Sequence, residues 1–301
     1  MLRCPTMNSD GTVTVTAAED TYGYLCKAKD AYGDSYYCRG NVTNNYVLFA
    51  GFYWRIIRYN GDGTVRVIYD GTSAHANSDA STDRQIGKSA FNSNRDDNAY
   101  VGYMYGKTGA STYAETHVNT NNSTIKTYLD TWYENNIKGT SNEQYIADNI
   151  YCNDRSFASN NSGTGAEKSR TYYRWVNFAN SSNNNKMMLT CPQKNDAFTV
   201  NDTINGNGAL TYGVGLVTND EVVLAGGWSS SNSNYYLHSG QIYWTMSPHR
   251  FYGNAFERIV YSNDNAGHNN VNSTNGARPV FNLKSEVLLQ GTGTASDPYH
   301  A

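Results

Sequence analysis

The chain has 301 residues with a formal net charge of −3, and only 16% of its residues are charged. No run of lysines and arginines forms a basic stripe, which excludes a typical nucleic-acid surface, and no stretch of about 18 apolar residues could span a bilayer. The 26 tyrosines and the aromatic content of 13% exclude a disordered chain, because disordered segments have few aromatic residues and a high net charge.

The N-terminal region, about residues 1–70, carries the pattern of β-hairpins. The stretches NSDGTVTVTA and WRIIRYNGDGTVRVIYDG each place Asp-Gly before alternating β-branched residues. Asp-Gly is a favoured hairpin-turn dipeptide, so both stretches predict hairpins. Residues 71–122 are rich in Ser, Asn, Asp, Gly and Thr, which predicts a long irregular insertion.

Two helices are indicated in the middle of the chain. In STIKTYLDTWYENNIKG the apolar residues recur at helical spacing, and Gly139 ends the pattern; they are Ile125, Leu129, Trp132, Tyr133 and Ile137. Thr218 and Glu221 have the spacing of a capping box, which predicts a second helix that ends at Gly226.

The remaining elements are predicted as strands. They are a short strand at Tyr172–Phe178, the stretch QIYWTMSP ending at Pro248, and the stretches AFERIVY and ARPVFNL. Arg278 precedes a proline at the entry of the last strand and is expected to form a buried, structural ion pair. Strands interleaved with few helices and long loops indicate a mixed α+β fold. No linker or repeat divides residues 1–301, so we expect one domain with long irregular insertions.

The five cysteines have no metal-binding spacing, and an exported protein would pair them. Cys26 and Cys38 flank a short Gly-containing loop and are the first expected disulfide. Cys152 with Cys191 is the second, which leaves Cys4 unpaired. The alternative is that all five are buried thiols. The abrupt start MLRCPTMNSDG predicts that an export or anchoring segment precedes it.

The sequence shows no catalytic signature. It has no G-x-S-x-G, no H-E-x-x-H and no P-loop. NGDGT at residues 60–64 lacks the ligand spacing of a calcium loop. We therefore expect no enzyme activity and no cofactor, while metal binding stays open.

Five ordered stretches carry a family resemblance: FAGFYWRIIRYNGDGTVRVIYDG, VGLVTNDEVVLAGG, YYLHSGQIYWTMSP, GARPVFNLK and GTGTASDPY. Together they resemble bacterial surface-type domains of the C-type-lectin-like superfamily, near the formylglycine-generating (sulfatase-modifying) enzymes. Similar domains often follow a prepilin-like or signal segment. The resemblance covers most of the chain. It implies a C-type-lectin-like fold with few helices, short strands and long loops, whose two ends pair and whose C-terminal half displays a binding face.

The same superfamily includes the variable proteins of diversity-generating retroelements, in which adenine-directed mutagenesis rewrites Asn-type codons near the C-terminus. Such codons cannot become Glu, Lys, Gln, Met or Trp. Between His249 and Asn275 only Glu257 belongs to these types, whereas average composition predicts about five. The high Asn content of the whole chain offers another explanation for the same bias.

Residues 249–275 lie between two expected scaffold strands and are the predicted ligand-binding segment. Their aromatic and arginine side chains suit interface hot spots, and their asparagines supply hydrogen bonds. The predicted ligand-binding residues are His249, Arg250, Tyr252, Asn254, Phe256, Arg258, Tyr261, Asn265, His268, Asn270 and Asn272. The alternative is a solvated loop without function.

These observations lead to the hypothesis of an exported bacterial binding domain, adhesin- or receptor-like, with a protein or glycan partner on another cell or surface. A pilin-like structural subunit is one alternative. A sulfatase-modifying-type enzyme is another, but it needs a pair of active-site cysteines in the C-terminal half, and the closing motifs contain none. The calcium-dependent lectin motifs Glu-Pro-Asn and Trp-Asn-Asp are also absent, so the resemblance does not imply calcium-mediated sugar binding.

Overall fold

A computed structural model describes residues 4–15, 22–109, 112–158, 167–179, 186–227, 232–263 and 265–301, with side chains outside 176–179. The protein mixes α-helices and β-sheets, so the predicted α+β class is confirmed. In chain order the strands are β1 (Thr6–Met7), β2 (Val13–Thr14), β3 (Gly23–Asp30), β4 (Gly33–Gly40), β5 (Tyr46–Phe49), β6 (Phe52–Tyr59), β7 (Val65–Gly71), β8 (Gly87–Ala90), β9 (Met104–Tyr105), β10 (Asn121–Asn122), β11 (Tyr151–Cys152), β12 (Glu167–Lys168), β13 (Lys186–Met187), β14 (Ala197–Phe198), β15 (Tyr243–Phe251), β16 (Ala255–Val260), β17 (Ala266–Asn270), β18 (Thr274–Ala277) and β19 (Val280–Leu283). The α-helices are α1 (Tyr113–Thr116), α2 (Thr124–Asn136), α3 (Arg170–Ala179) and α4 (Asn219–Ala225).

The first large sheet has the order β19-β7-β6-β4-β3, with β5 also paired to β6. The predicted hairpin is the antiparallel pair β6–β7. Gly63 in its turn has a φ of 84°, a conformation that glycine adopts without steric cost. The C-terminal strand β19 closes this sheet beside β7, and Tyr299 bonds to the backbone of β5. The last residues of the described chain are therefore fixed against its first third.

The second large sheet has the order β17-β16-β15-β18-β8, and β12 pairs with one end of β15. The predicted hairpin at the N-terminus is also present, because β1 pairs with β2. Strand β13 adds to β2 from far along the chain. The predicted insertion at 71–122 contributes β8 to this second sheet, so it is less irregular than its composition suggested.

One aromatic cluster joins the first sheet to α2, the helix predicted from its apolar spacing. Trp54 of β6 is fully buried and lies 4.8 Å from Phe281 of β19, centroid to centroid. Trp132 of α2 lies 6.1 Å from Trp54. Aromatic pairs at such distances add to the stabilisation that their buried area provides. The helix therefore packs on the sheet through its apolar face.

Buried ion pairs connect further parts of the fold at two places. Arg278 donates to Asp70 at 2.8 Å, and both side chains are buried, so the predicted structural ion pair is confirmed. Helix α4 begins at the predicted capping box of Thr218 and Glu221. Glu221 also forms an ion pair with Arg66, with Nε and Oε1 2.6 Å apart, which ties the start of α4 to the first sheet.

The disulfides are Cys4–Cys26 and Cys152–Cys191, and Cys38 is a buried free thiol. The Cys152–Cys191 prediction is confirmed, but the Cys26–Cys38 prediction is wrong. In the β3–β4 pair Cys26 lies opposite Tyr37, one position away from Cys38. Successive side chains in a strand point to opposite faces, so the two sulfur atoms cannot meet.

Two strand predictions are also wrong. The strand predicted at residues 172–178 is part of helix α3, and the strand predicted to end at Pro248 continues as β15 to Phe251. The pairing of β15 with β16 changes register on both sides of Pro248. A bulge of this kind accommodates a residue that has no N–H to donate. In the part of the chain that the structure describes, no helix has the length and apolarity needed to cross a membrane.

Candidate functional site

The end of the second sheet forms a row of four side chains across four strands. Lys168 of β12 lies opposite Arg250 of β15, Arg250 opposite Phe256 of β16, and Phe256 opposite Asn270 of β17. Residues directly opposite each other in a sheet point to the same face. The register therefore places two cations, one aromatic ring and one amide side by side.

A second row lies beside the first. Arg258 is opposite His268. Arg258 lies two positions from Phe256 along β16, and His268 lies two positions from Asn270 along β17, so both side chains are on the face of the first row. The register shift between Pro248 and Arg250 leaves His249 as the extra residue of a bulge. Its ring stacks on that of His268 at 3.9 Å, centroid to centroid. The bulge thus brings His249 onto the same face.

Helix α3 covers part of this second row. Tyr172 lies 4.9 Å from the His249 ring, and the Arg258 guanidinium lies 4.0 Å above the Trp175 ring. Tyr172 and Trp175 are three residues apart and so lie on one side of the helix. This packing leaves Arg258 and His249 buried, with 0% and 1% exposure.

The uncovered part of the face is aromatic and basic. The Lys168 ammonium lies over the rings of Tyr172 and Tyr173, and the Arg250 guanidinium over those of Tyr252 and Phe256. Such cation–π contacts fix long side chains without neutralising them. We call this surface the aromatic–basic face; its residues are Lys168, Tyr172, Arg250, Tyr252, Phe256, His268 and Asn270.

The cations of this face form no ion pair with any carboxylate in the part of the chain that the structure describes. The carboxylates of Asp154 and Asp220 are both engaged by Arg174, at 3.0 and 2.9 Å. Burial, together with the Arg258 and Arg250 charges, lowers the pKa of His268 to about 4. Burial also lowers the pKa of Arg258 to about 9. At neutral pH His268 is therefore uncharged and Arg258 remains cationic.

The structure brings five of the eleven predicted binding residues together on the aromatic–basic face: Arg250, Tyr252, Phe256, His268 and Asn270. Tyr252 is 70% exposed and the other four are half-buried. Asn254 is half-buried in the adjoining turn, where its carbonyl accepts the Tyr252 N–H. These six residues remain predicted ligand contacts.

The other five predicted residues lie elsewhere. The expectation of a surface position is wrong for His249 and Arg258, because α3 covers both. Tyr261 and Asn265 are joined by a backbone bond at the far end of the β16–β17 hairpin, and Asn272 is exposed in the turn after β17. The segment is therefore a pair of scaffold strands with exposed edges and turns, rather than a loose loop.

Sequence reasoning missed Lys168, Tyr172, Tyr173 and Trp175. They lie about 80 positions before their partners in the chain, so no local pattern links the two groups. The signal present is the run KSRTYYRW, in which cations alternate with aromatic residues. Composition and β-propensity predict a loop and a short strand for this run.

Other features give little support to redox or metal chemistry in the described ranges. Burial raises the pKa of Cys38 to about 12, and a thiol of that kind is a poor nucleophile at neutral pH. No group of three or more His, Cys, Asp or Glu side chains there is placed to hold a metal ion.

A cavity of about 470 Å³ lies beside α3 and is lined by residues that include Arg170, Tyr173 and Lys186.

The chain matches no model of a known protein family, no curated protein and no solved structure.

Proposed function

We propose that this chain is an exported ligand-binding domain, adhesin- or receptor-like, that holds a protein or glycan partner on the aromatic–basic face. Within this proposal the scaffold is C-type-lectin-like, and its role is binding rather than catalysis. The observation that carries the proposal is the row of Lys168, Arg250 and Phe256 across three paired strands, with the exposed Tyr252 beside it.

The rigidity of the face supports a binding role. Except for Tyr252 in the turn after β15, its side chains project from hydrogen-bonded strands and from one helix, so little conformational entropy is lost there when a partner binds. Tyrosine and arginine are the residue types enriched at interface hot spots. Asn270 in the row and Asn254 in the turn offer amide groups for hydrogen bonds.

The cysteines support the location. Two disulfides are typical of a protein that folds in an oxidising environment. They fit a place outside the cell or on its surface, where a partner on another cell would be met.

We further propose that the predicted segment is diversified, as in retroelement variable proteins. Ala255, Glu257 and Ile259 of β16 are fully buried on one face of the strand, and on the other face Phe256 is half-buried whereas Arg258 is covered by α3. Replacement of the outward residues would leave that buried set in place. The pattern thus allows side chains to change without loss of the fold.

The test is binding by the fluorescently labelled protein to a glycan microarray and to a panel of bacterial and animal cells. The variant Lys168→Ala/Arg250→Ala/Tyr252→Ala should bind at least about 10-fold more weakly to every positive target, since interface anchors of this kind carry most of the binding free energy. Its melting temperature should stay within about 3 °C of the wild type.

A matched control is Lys88→Ala/Lys284→Ala/Tyr22→Ala, which likewise removes two cations and one tyrosine, from exposed positions outside the aromatic–basic face. It should bind like the wild type. The proposal fails if the wild type binds no target in the panel, or if the first variant binds as tightly as the wild type.

A further inference from the structure

Like charges face each other in the middle of the aromatic–basic face. Lys168 and Arg250 are directly opposite across β12 and β15. Like charges at opposed positions of a sheet destabilise it. Among the described residues neither cation has a carboxylate within ion-pair distance, and their contacts are with aromatic rings. An anion between the two would turn this repulsion into attraction.

Buried N–H donors near Lys168 and Arg250 add to the positive electrostatic potential of this face. The Nε of Arg250, the Nε and Nη2 of Arg258 and the Nε1 of Trp175 are buried without a hydrogen-bond partner. Arg258 is itself 0% exposed, so it acts on a ligand through its charge, not by contact. Three cations therefore lie on one side of the sheet, in a chain whose net charge is −3.

The remaining groups of the row suit a sugar better than a simple anion. The side-chain oxygen of Asn270 has no hydrogen-bond donor in the protein, and rotation of this half-buried side chain would present it to a ligand hydroxyl. The Phe256 ring lies between Asn270 and Arg250 in the row. The Arg250 guanidinium lies over this half-buried ring at 5.3 Å, so the rest of its exposed surface is what can pack on the C–H side of a pyranose. A hydroxyl, an apolar ring face and an anionic group in sequence are the features of an acidic saccharide.

We propose that the aromatic–basic face binds an acidic polysaccharide, with a carboxylate or sulfate between Lys168 and Arg250, a sugar ring on Phe256 and a hydroxyl on Asn270. This inference rests on the proposed function of the same face and names its ligand class. Charge complementarity selects an anionic partner, and the ring and amide of the same row favour a saccharide over an acidic peptide.

The experiment measures binding of the 301-residue protein to four polymers by biolayer interferometry at several salt concentrations. Polygalacturonate carries carboxylates, dextran sulfate carries sulfates, unmodified dextran is neutral, and polyglutamate is a peptide polyanion. We expect binding to polygalacturonate or dextran sulfate that weakens with salt, and no binding to dextran. Lys168→Gln/Arg250→Gln should weaken it at least about 10-fold, whereas the matched Lys88→Gln/Lys284→Gln should not.

Asn270→Ala separates a saccharide from a polyanion in general. It should weaken binding of the acidic polysaccharide several-fold and leave any binding of polyglutamate unchanged. Polyglutamate binding as tight as that of both polysaccharides, or no binding of either acidic polysaccharide, would overturn the inference. In the second case, loss of cell or array binding in the Lys168/Arg250/Tyr252 variant would still uphold the proposed function, so the two failures are distinguishable.

Discussion

At the scale of single residues, Asp70 joins three arginines from separate parts of the chain, and no local sequence pattern predicts these contacts. Its carboxylate accepts Arg84 at 2.7 Å and Arg278 at 2.8 Å, and Arg55 lies 3.8 Å away. All four side chains are 0–1% exposed. A buried carboxylate among three guanidinium groups is costly to remove, because the cations would remain unpaired in a low-dielectric interior.

We therefore expect Asp70→Asn to lower the free energy of unfolding by about 3–5 kcal/mol, measured by urea denaturation. Asp297→Asn is the control, since Asp297 is exposed and surface substitutions change stability by about 0.5 kcal/mol or less. A similar denaturation midpoint for the two variants would contradict the role assigned to Asp70.

His268 makes stability depend on pH in a definite direction. Burial and the neighbouring arginines lower the pKa of His268 from 6.5 to about 4 in the folded state. Between these values the unfolded chain binds more protons than the folded one, so stability is complete above about pH 6.5 and is lost as the pH falls towards 4. The melting temperature should fall more between pH 7 and 4.5 in the wild type than in His268→Gln, by at least about 3 °C.

Other titrating groups are common to both proteins, so the difference between the two curves reports His268 together with its charge coupling to the stacked His249 ring. Equal losses on acidification would show that protonation of His268 is not opposed by Arg250 and Arg258.

At the scale of elements, the sequence predicts the hairpins and helices that are determined by neighbouring residues. The Asp-Gly turn specifies the β6–β7 hairpin, the apolar spacing specifies α2, and the Thr218–Glu221 capping box specifies the start of α4. Helix α3 could not be predicted in this way. Its aromatic run favours a strand by propensity, but contacts of Tyr172 and Trp175 with residues of β15 and β16 favour the helix.

The disulfides show the same limit at the level of two strands. Sequence distance suggested Cys26 with Cys38, whereas the register of β3 and β4 separates them and Cys4 supplies the partner. No pattern around Cys4 indicates that it returns to β3. Only the folded path of the N-terminal segment brings the two sulfur atoms together.

The pairing predicts a definite count of reactive thiols. The native protein should show none, because Cys38 is buried. After unfolding without reductant it should show one thiol per chain, and after reduction all five cysteines should react. Cys38→Ser should abolish the single thiol, while Cys4→Ser should expose a new one at Cys26. A single thiol that persists in Cys38→Ser would contradict these two disulfides.

At the scale of the whole molecule, the sequence predicted the α+β class but not the long-range pairings that build the site. β12 joins β15 across about 80 residues, and β8 from the supposed insertion closes the other edge of that sheet. Nothing in a local window predicts these neighbours, because loops of any length can connect them. The aromatic–basic face arises from such pairings, so the sequence supplied only the half that lies between residues 250 and 270.

The same architecture makes the diversification proposal specific. In β16 Ala255, Glu257 and Ile259 point to the core and are fully buried, and on the opposite side Arg258 and Val260 are buried as well, so only Phe256 of this strand reaches the aromatic–basic face. If the segment is diversified, sequences of this gene from sibling isolates should differ at the outward positions and keep the buried ones. Replacements should therefore alternate along residues 250–256 and 268–272 with the period of two of a strand, and should spare Arg258.

The outward positions expected to vary are Arg250, Tyr252, Asn254, Phe256, His268, Asn270 and Asn272. Glu257 is the informative exception, because it is 0% exposed and is also the one residue of the segment that an Asn-type codon cannot produce by adenine replacement. It should be invariant among the isolates. Replacements spread evenly over buried and outward positions, or equally frequent outside residues 249–275, would contradict diversification and leave the binding proposal to be decided by the face variants.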